Sequence, residues 1–447
     1  MTTLRVVSVL EVDRVWAGHP VDFGLLTVGD RQFVAYYDAE RQMTVAVRRL
    51  GDENWQRFAI PSAQPEAPGY RAAVTSTRLG WDSHNSVTLA VDADGYLHLS
   101  GNMHVNALTY FRTEQPWEIT SFVQHFAMTG ENEERCTYPH FLTDQNGELI
   151  FHYRDGSSGN GSEIYNRWDR AARRWVRLLD RPLTDGQGLM NAYLHEPVLG
   201  PDGRFHMSWV WRNTPDCKTN HDLSYAVSDD LVHWQTAAGK PIELPMTLQT
   251  PGVIVDPVPA EGGIINGSGK VGFDSQGRVI LTYHKFDAAG KTQAYNARLE
   301  SGGWEVDRSE AGGWAIYQSS DWDYRWWFEG GGSIVNDVIL GQVEVTGEGL
   351  ALDFRHVEAG AGRWILDEET LGPVETLPPV APLPAHLMTP ESDFPEMRVR
   401  LWEDDGHSPD PAVHYLLRWE TLPAHRDRPR TGPLPEASVL RLYSLQN

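Results

Sequence analysis

WDSHNSVTLAVDADGYLHLSGNMH, residues 81–104, holds two short alternating runs about one turn, with a histidine beyond each end. Residues 87–91 (VTLAV) alternate in polarity, ADG turns the chain, and residues 96–100 (YLHLS) alternate again, which predicts an antiparallel hairpin. Polar clusters flank it on both sides, DSHN before and GNMH after. They put His84 and His104 at the two open ends of the hairpin, where both histidines converge on one end of a sheet. Neither lies on an apolar face, so the ordinary reading of a buried core histidine is weakened for both.

The same turn-and-strand unit recurs along the chain as GDRQFVAYYD, DQNGELIFHY, GPDGRFHMSW and DSQGRVILTY. A tryptophan closes most units: Trp55, Trp117, Trp175, Trp234, Trp304 and Trp364, with Trp419 as a looser member. Several short strands per unit, repeated along the chain, are the signature of a β-propeller. About seven units fit the length, and no helical period interrupts them. The sequence therefore predicts an all-β, seven-bladed β-propeller forming a single domain over residues 1–447. The first strand, LRVVSVLEV, and the last, SVLRLYSL, are expected to close one blade together. The Pro-rich stretch near 371–395 reads as an extended surface connection.

Composition narrows the partners. Asp and Glu number 61 against 38 Lys and Arg, a net charge of −23 that argues against nucleic acid and anionic membranes as partners. Two cysteines, Cys136 and Cys217, cannot build a disulfide framework. The N-terminal residues hold no apolar core of signal-peptide length, and no later run is long enough to span a membrane. The expectation is a reduced, cytoplasmic protein, a monomer or small homo-oligomer. An anionic substrate would need a locally positive site.

In a propeller, loops at equivalent places in successive blades meet at one mouth of the channel. DSHN and NMH come from the second unit, with Asn85 beside His84. RCTYPHF and FHYRDGSSGNG come from the third and carry Tyr138 and Arg154. WVWRNTPDCKTNHDLSYA comes from the fourth and carries Arg212 at a strand end. A tyrosine before proline often only packs, and an arginine at a strand end often only meets solvent. Together, however, these residues suit one reaction. Arginine pairs with a carboxylate and keeps its charge at any relevant pH. Histidine and tyrosine exchange protons once their surroundings shift them. The set suits proton removal α to a carboxylate and elimination of the β-oxygen, which on a uronic acid cleaves the glycosidic bond without water.

The stretches WAGHPVDFGLL (16–26), AYYDAERQMTVAVR (35–48), DSHN…GNMH, TYPHF, FHYRDGSSG and WRNTPD…TNHDLSYAVSDDLVHW resemble the BNR-repeat-like seven-bladed propeller family, which includes ulvan lyases and L-rhamnose-α-1,4-D-glucuronate lyases. The resemblance covers roughly residues 10–350. It implies a lyase acting on a uronic-acid-containing oligosaccharide or polysaccharide, without a catalytic cofactor. It places the catalytic set on His84, His104, Tyr138 and Arg154, and it makes Arg212 a substrate clamp. Tyr138 and His104 would be the acid–base pair, Arg154 the carboxylate neutraliser, and His84 an assisting or orienting group. Asn85, His284 and Trp326 are expected to line the substrate site. The resemblance also implies a structural zinc or calcium held by His195, Cys217 and His221, with His206 nearby, although their spacing is irregular. Trp326 lies in an aromatic run, DWDYRWWFEGGG (321–332), that reads either as a sugar-stacking platform or as inter-blade packing. The lack of a secretion signal favours a small imported rhamnose–glucuronate oligosaccharide over polymeric ulvan. An α-L-rhamnosidase, with Asp82 or Asp155 as its carboxylates, and a non-catalytic carbohydrate-binding propeller remain open at this point.

Overall fold

A computed structural model describes residues 4–61, 77–300, 313–326, 337–380 and 383–446. Trp304 and residues 327–332 of the aromatic run lie outside them. The described residues are almost entirely strand and turn, arranged as antiparallel sheets of four to six strands. They group into two compact units: residues 1–156, 164–178 and 381–447 form the first, and residues 157–163 and 179–380 the second.

In the first unit the predicted hairpin is present, with Val87–Val91 paired to Leu97–Gly101 and Val87 opposite Gly101. Tyr110–Thr113 and Phe122–His125 extend it to a four-stranded sheet. The expected closure is also there. Arg5–Val15 lies antiparallel to Ser438–Gln446, next to Val413–Thr421 and Arg398–Glu403, so the two ends of the chain share one sheet. Trp419 is 1% exposed and stacks on Phe23 at 4.5 Å, joining that sheet's side chains to the core around Phe33, Val34 and Leu97.

The repeat has a physical basis in its turns. In DADG, the Asp92 carboxylate accepts from the backbone N–H of Asp94 and Tyr96, both at 2.9 Å. Asp144 does the same for Asn146 and Glu148, and Asp274 for Gln276 and Arg278. Gly95, Gly147 and Gly277 follow at φ +86°, +78° and +76°, a left-handed conformation that glycine adopts without steric cost. The turns are thus structural. The tryptophans are less uniform than their spacing suggests. Trp175 and Trp234 sit on strands at the end of their sheets' hydrogen-bonded order, whereas Trp364 and Trp419 lie on internal strands.

In the second unit, the sheets are built around Phe205–Arg212, Val279–Phe286 and Gly349–His356. The Pro-rich connection is more structured than expected. Pro373–Leu377 is the fourth strand of one sheet, paired to Gly360–Leu366, and Ala385–Met388 forms a short 3-10 turn.

Candidate active site

The site lies in the first unit, where three strands meet. Thr137 pairs with Arg154 on one side and His104 on the other, which sets Cys136–Thr143 between Leu149–Ser157 and His104–Asn106. Between Thr137 and His140 the register slips, and Tyr138 takes φ +56° immediately before Pro139. A left-handed tyrosine is strained, at about 1–3 kcal/mol, and such strain collects at functional sites. Here it turns the ring outward, leaving Tyr138 40% exposed between two buried neighbours. Asn102 (+57°) and Val105 (+60°), on either side of His104, are left-handed as well.

Asp82 organises the histidines. Its Oδ1 accepts from His84 Nδ1 at 2.7 Å and its Oδ2 from His104 Nδ1 at 2.5 Å. One carboxylate therefore fixes both rings, whose centroids stand 4.3 Å apart. Tyr138 lies 5.9 Å from the His84 ring and 6.5 Å from the His104 ring. Beneath Tyr138 is Arg154, whose guanidinium is 4.8 Å from the ring centroid and which is 1% exposed. Arg154 thus supplies charge from below rather than as a surface clamp.

A second carboxylate arrives from far along the chain. Asp427 Oδ1 accepts from the backbone N–H and the hydroxyl of Ser83, both at 2.9 Å, and its Oδ2 lies 3.4 Å from His84 Nδ1. Arg426 and Asp427 are consecutive left-handed residues, at φ +52° and +55°. The electrostatics follow. Burial works against charge on His84, but the hydrogen bond and charge of Asp82, with the charge of Asp427, outweigh burial and the opposing charge of Arg154, so its pKa is raised. Burial likewise opposes ionisation of Asp82, yet hydrogen bonds from His104 and His84 hold its carboxyl far below the usual range. Behind the loop, Trp16 and Trp81 meet edge-on at 5.5 Å, and Arg41 lies over both rings at 4.1 and 4.8 Å. That framework braces residues 81–84.

The fold brings the predicted His84, His104, Tyr138 and Arg154 together in one unit and adds two carboxylates, Asp82 and Asp427, to them. Asp82 was legible within DSHN, but nothing in the sequence marks Asp427. Asn85 is buried, and its backbone carbonyl accepts from the Tyr37 hydroxyl at 2.8 Å, so it lies beneath the loop rather than on its surface. Because the charge of Asp427 helps raise the pKa of His84, Asp427→Asn is expected to lower the pH at which that ring loses its proton, which an NMR titration of the His84 ring against wild type checks.

The remaining expected residues belong to the second unit. Arg212 is 3% exposed, with its guanidinium spent on the carbonyls of Thr214 and Pro215 and on Asn266. A side chain so engaged pins its own loop, which corrects its reading as a clamp. Trp326 is 3% exposed and lies in an apolar cluster with Cys217 and Ile265, 6.0 Å from the ring of His284. It is a packing residue and not a stacking platform. His284 is itself 4% exposed, and burial pushes its pKa down to about 4.

The expected metal set does not assemble either. His195 Nε2 donates to the Ser268 carbonyl at 2.8 Å, while His221 has Nδ1 on Asp222 at 2.7 Å and Nε2 on Asn213 at 2.8 Å. Those nitrogens are committed to protein partners, and His195, Cys217 and His221 form no ligand group among the described residues. His206 has its own structural role. It contacts the Tyr225 hydroxyl at 2.6 Å and Asp202 at 3.0 Å, repeating how His98 contacts Tyr110 and Asp92 in the hairpin sheet. The group whose ligand atoms do fall within 4.8 Å of one another is Asp82, His84, His104 and Asp427. Its Nδ1-to-Asp82 distances of 2.5–2.7 Å are those of charge-assisted hydrogen bonds with a proton between the atoms.

Comparison with known proteins gives the setting. The family model described as a BNR repeat-containing family member matches residues 31–311. The short isoform of ulvan lyase from Alteromonas sp. (strain LOR) is 28% identical over 137 residues, covering 28% of this chain and 26% of that protein. A long isoform from Glaciecola sp. (strain KUL10) is 37% identical over 117 residues, covering 24% and 12%. The matches thus span about a quarter or less of the length of these relatives. Among solved structures, the polysaccharide lyase Uly1 superposes with a TM-score of 0.61 at 14% identity, over 99% of both chains. A PL25 ulvan lyase bound to -[GlcA(1-4)Rha3S]- superposes at 0.55 and 13% identity, over 99% of this chain and 96% of that one. At such identities the superpositions establish a shared all-β, propeller-type fold.

Proposed function

The chain belongs to the BNR repeat-containing family, and from that premise we propose that it is a polysaccharide or oligosaccharide lyase that cleaves a rhamnose–glucuronate linkage by β-elimination. The observation that carries this reading is the convergence of Tyr138, the Asp82-bridged histidines and Arg154 within one site. The ulvan lyases among its relatives support it.

The C5 proton of the uronate, α to its carboxylate, passes to a base. The C–H electrons form the C4–C5 double bond, the C4–O bond breaks, and the leaving oxygen takes a proton. Tyr138 and His104 serve as the acid–base pair. With its Nδ1 turned to Asp82, His104 leaves Nε2 as the ring nitrogen that exchanges a proton with the substrate. His84, favoured as a cation by two carboxylates, faces the substrate carboxylate and with Arg154 stabilises the charge that builds there. The hydrolase alternative is disfavoured because both oxygens of Asp82 already accept from histidines, leaving that carboxylate poorly placed to activate water.

The test is a panel of uronic-acid oligosaccharides followed by ultraviolet absorbance, since elimination creates an unsaturated uronate and hydrolysis does not. New absorbance is expected from rhamnose–glucuronate substrates, and sugar release without it would overturn the lyase. Arg154→Ala is the control, with an expected loss of about 10²–10³ in kcat, the usual cost of removing one preorganised charge from the transition state.

A further inference from the structure

Asp82, His84, His104 and Asp427 come from three separate stretches of the first unit, yet their ligand atoms lie within 4.8 Å of one another. Two imidazoles and two carboxylates make a mixed donor set. Calcium and magnesium take oxygen ligands, whereas imidazole beside carboxylate suits zinc and its d-block neighbours. His84 Nδ1 already stands between oxygens of both aspartates, at 2.7 Å from Asp82 and 3.4 Å from Asp427.

The donors are also braced by neighbours that orient them, as metal ligands usually are. Ser83 holds Asp427 Oδ1 through its N–H and its hydroxyl, which leaves Oδ2 turned towards His84. The backbone N–H of His84 holds Asp82 Oδ1 at 2.9 Å, and Asn106 holds the backbone N–H of His104 at 3.0 Å. The four side chains are 26–34% exposed, so an ion reaches them from solvent.

Charge favours an exchange of protons for metal. With protons in place, two carboxylates face one imidazolium, that of His84, and a neutral His104. A dication among the four atoms balances both carboxylates and leaves both rings neutral. His84 gives up its Nδ1 proton to solvent, and His104 moves its own proton from Nδ1 to Nε2. The opposing charge is that of Arg154, which lies beneath the Tyr138 ring.

We propose that Asp82, His84, His104 and Asp427 form a binding site for a zinc-class dication, and that filling it switches the catalytic site off. The inhibition rests on the lyase reading; the binding does not. A ring held by metal through Nδ1 carries its one proton on Nε2 and has no cationic form left. His104 then stops exchanging a proton with the substrate. The positive charge of His84 is gone as well, and that of the dication is balanced by the two aspartates.

The experiment uses the intact chain, stripped with a chelator and titrated with zinc chloride. Calorimetry is expected to show one zinc bound per chain, and X-ray absorption of the loaded chain to show two imidazoles on the metal. Asp427→Asn and His104→Gln, each checked for an unchanged Tm, should weaken binding by at least the 10–100-fold that loss of even an outer-shell partner costs. Tyr138→Phe should bind zinc as the parent does, because its hydroxyl is no ligand. On rhamnose–glucuronate oligosaccharides, the rate of elimination should fall in proportion to zinc occupancy and return on chelation, while calcium chloride changes nothing. Zinc binding that survives both ligand variants, calcium bound equally well, or a full rate at full occupancy overturns the proposal. Zinc held by these four residues in a chain that eliminates on no uronate substrate upholds the metal site and refutes the lyase.

Discussion

Tyr138→Phe is expected to lower kcat by about 10²–10⁴-fold, the range a positioned proton-transfer group supplies, while Tm stays close to that of the parent. The two halves of this expectation have separate origins. The substitution removes only the hydroxyl. It keeps the ring that covers Arg154 at 4.8 Å and stands 5.9 Å from His84. At 40% exposure the ring tip meets solvent, and substitutions at such positions usually stay within about 0.5 kcal/mol. The left-handed backbone at Tyr138 is held by the register slip and by Pro139, neither of which the substitution touches. Loss of rate without loss of fold would therefore locate the effect in proton transfer. If kcat instead stays within a few-fold of the parent, Tyr138 moves no proton and the base must be His104. Measuring both variants, Tyr138→Phe and Tyr138→Ala, separates the hydroxyl from the ring.

The same residues show what a sequence can disclose about this fold. Hairpins announce themselves because strand alternation and an Asp-x-x-Gly turn are local. Asp92, Asp144 and Asp274 each bind the N–H groups two and four residues on. The repetition of such units then implies which strand ends converge, which is why His84, His104, Tyr138 and Arg154 were legible together. Asp427 was not. It reaches Ser83 across 344 residues from a loop whose geometry depends on two left-handed non-glycine residues, and no residue pattern encodes that. Trp326 and Arg212 illustrate the converse. A tryptophan in an aromatic run and an arginine at a strand end look the same in sequence whether they face ligand or core. Here the tryptophan is packed against Cys217 and Ile265, and the arginine is tied to its own loop. His206 looked like part of a metal set but repeats His98, each ring set between a tyrosine hydroxyl and a turn aspartate. The repeat itself was the better guide.

Asp82→Asn should be the other severe variant, with kcat down by about 10²–10⁴-fold, as when the carboxylate orienting a catalytic histidine is made neutral. Asp82 presents two oxygens to two imidazole Nδ1 atoms. An amide offers one oxygen and one NH₂, so only one ring keeps its acceptor and the other faces a donor. Charge is lost as well as geometry. Asp82 and Asp427 together raise the pKa of His84, so in the parent the limb of the rate profile that reports loss of its proton is shifted up from the ordinary histidine value. Without the Asp82 charge that limb should move to lower pH, although Asp427 at 3.4 Å keeps part of the effect. Stability moves in step. Because the folded pKa of His84 is raised, its contribution is complete below the unfolded pKa of about 6.5 and is lost as pH rises through the higher folded value. Because that of Asp82 is depressed, its contribution is present above the unfolded value of about 3.9 and is lost as pH falls through the lower folded one. The pair therefore stabilises the fold most between those two limits. Melting curves across pH should show that Asp82→Asn costs more in this window than on either side of it. A cost independent of pH would mean that Asp82 holds the loop by shape alone, and an unshifted rate limb would remove His84 from the charge balance of the reaction.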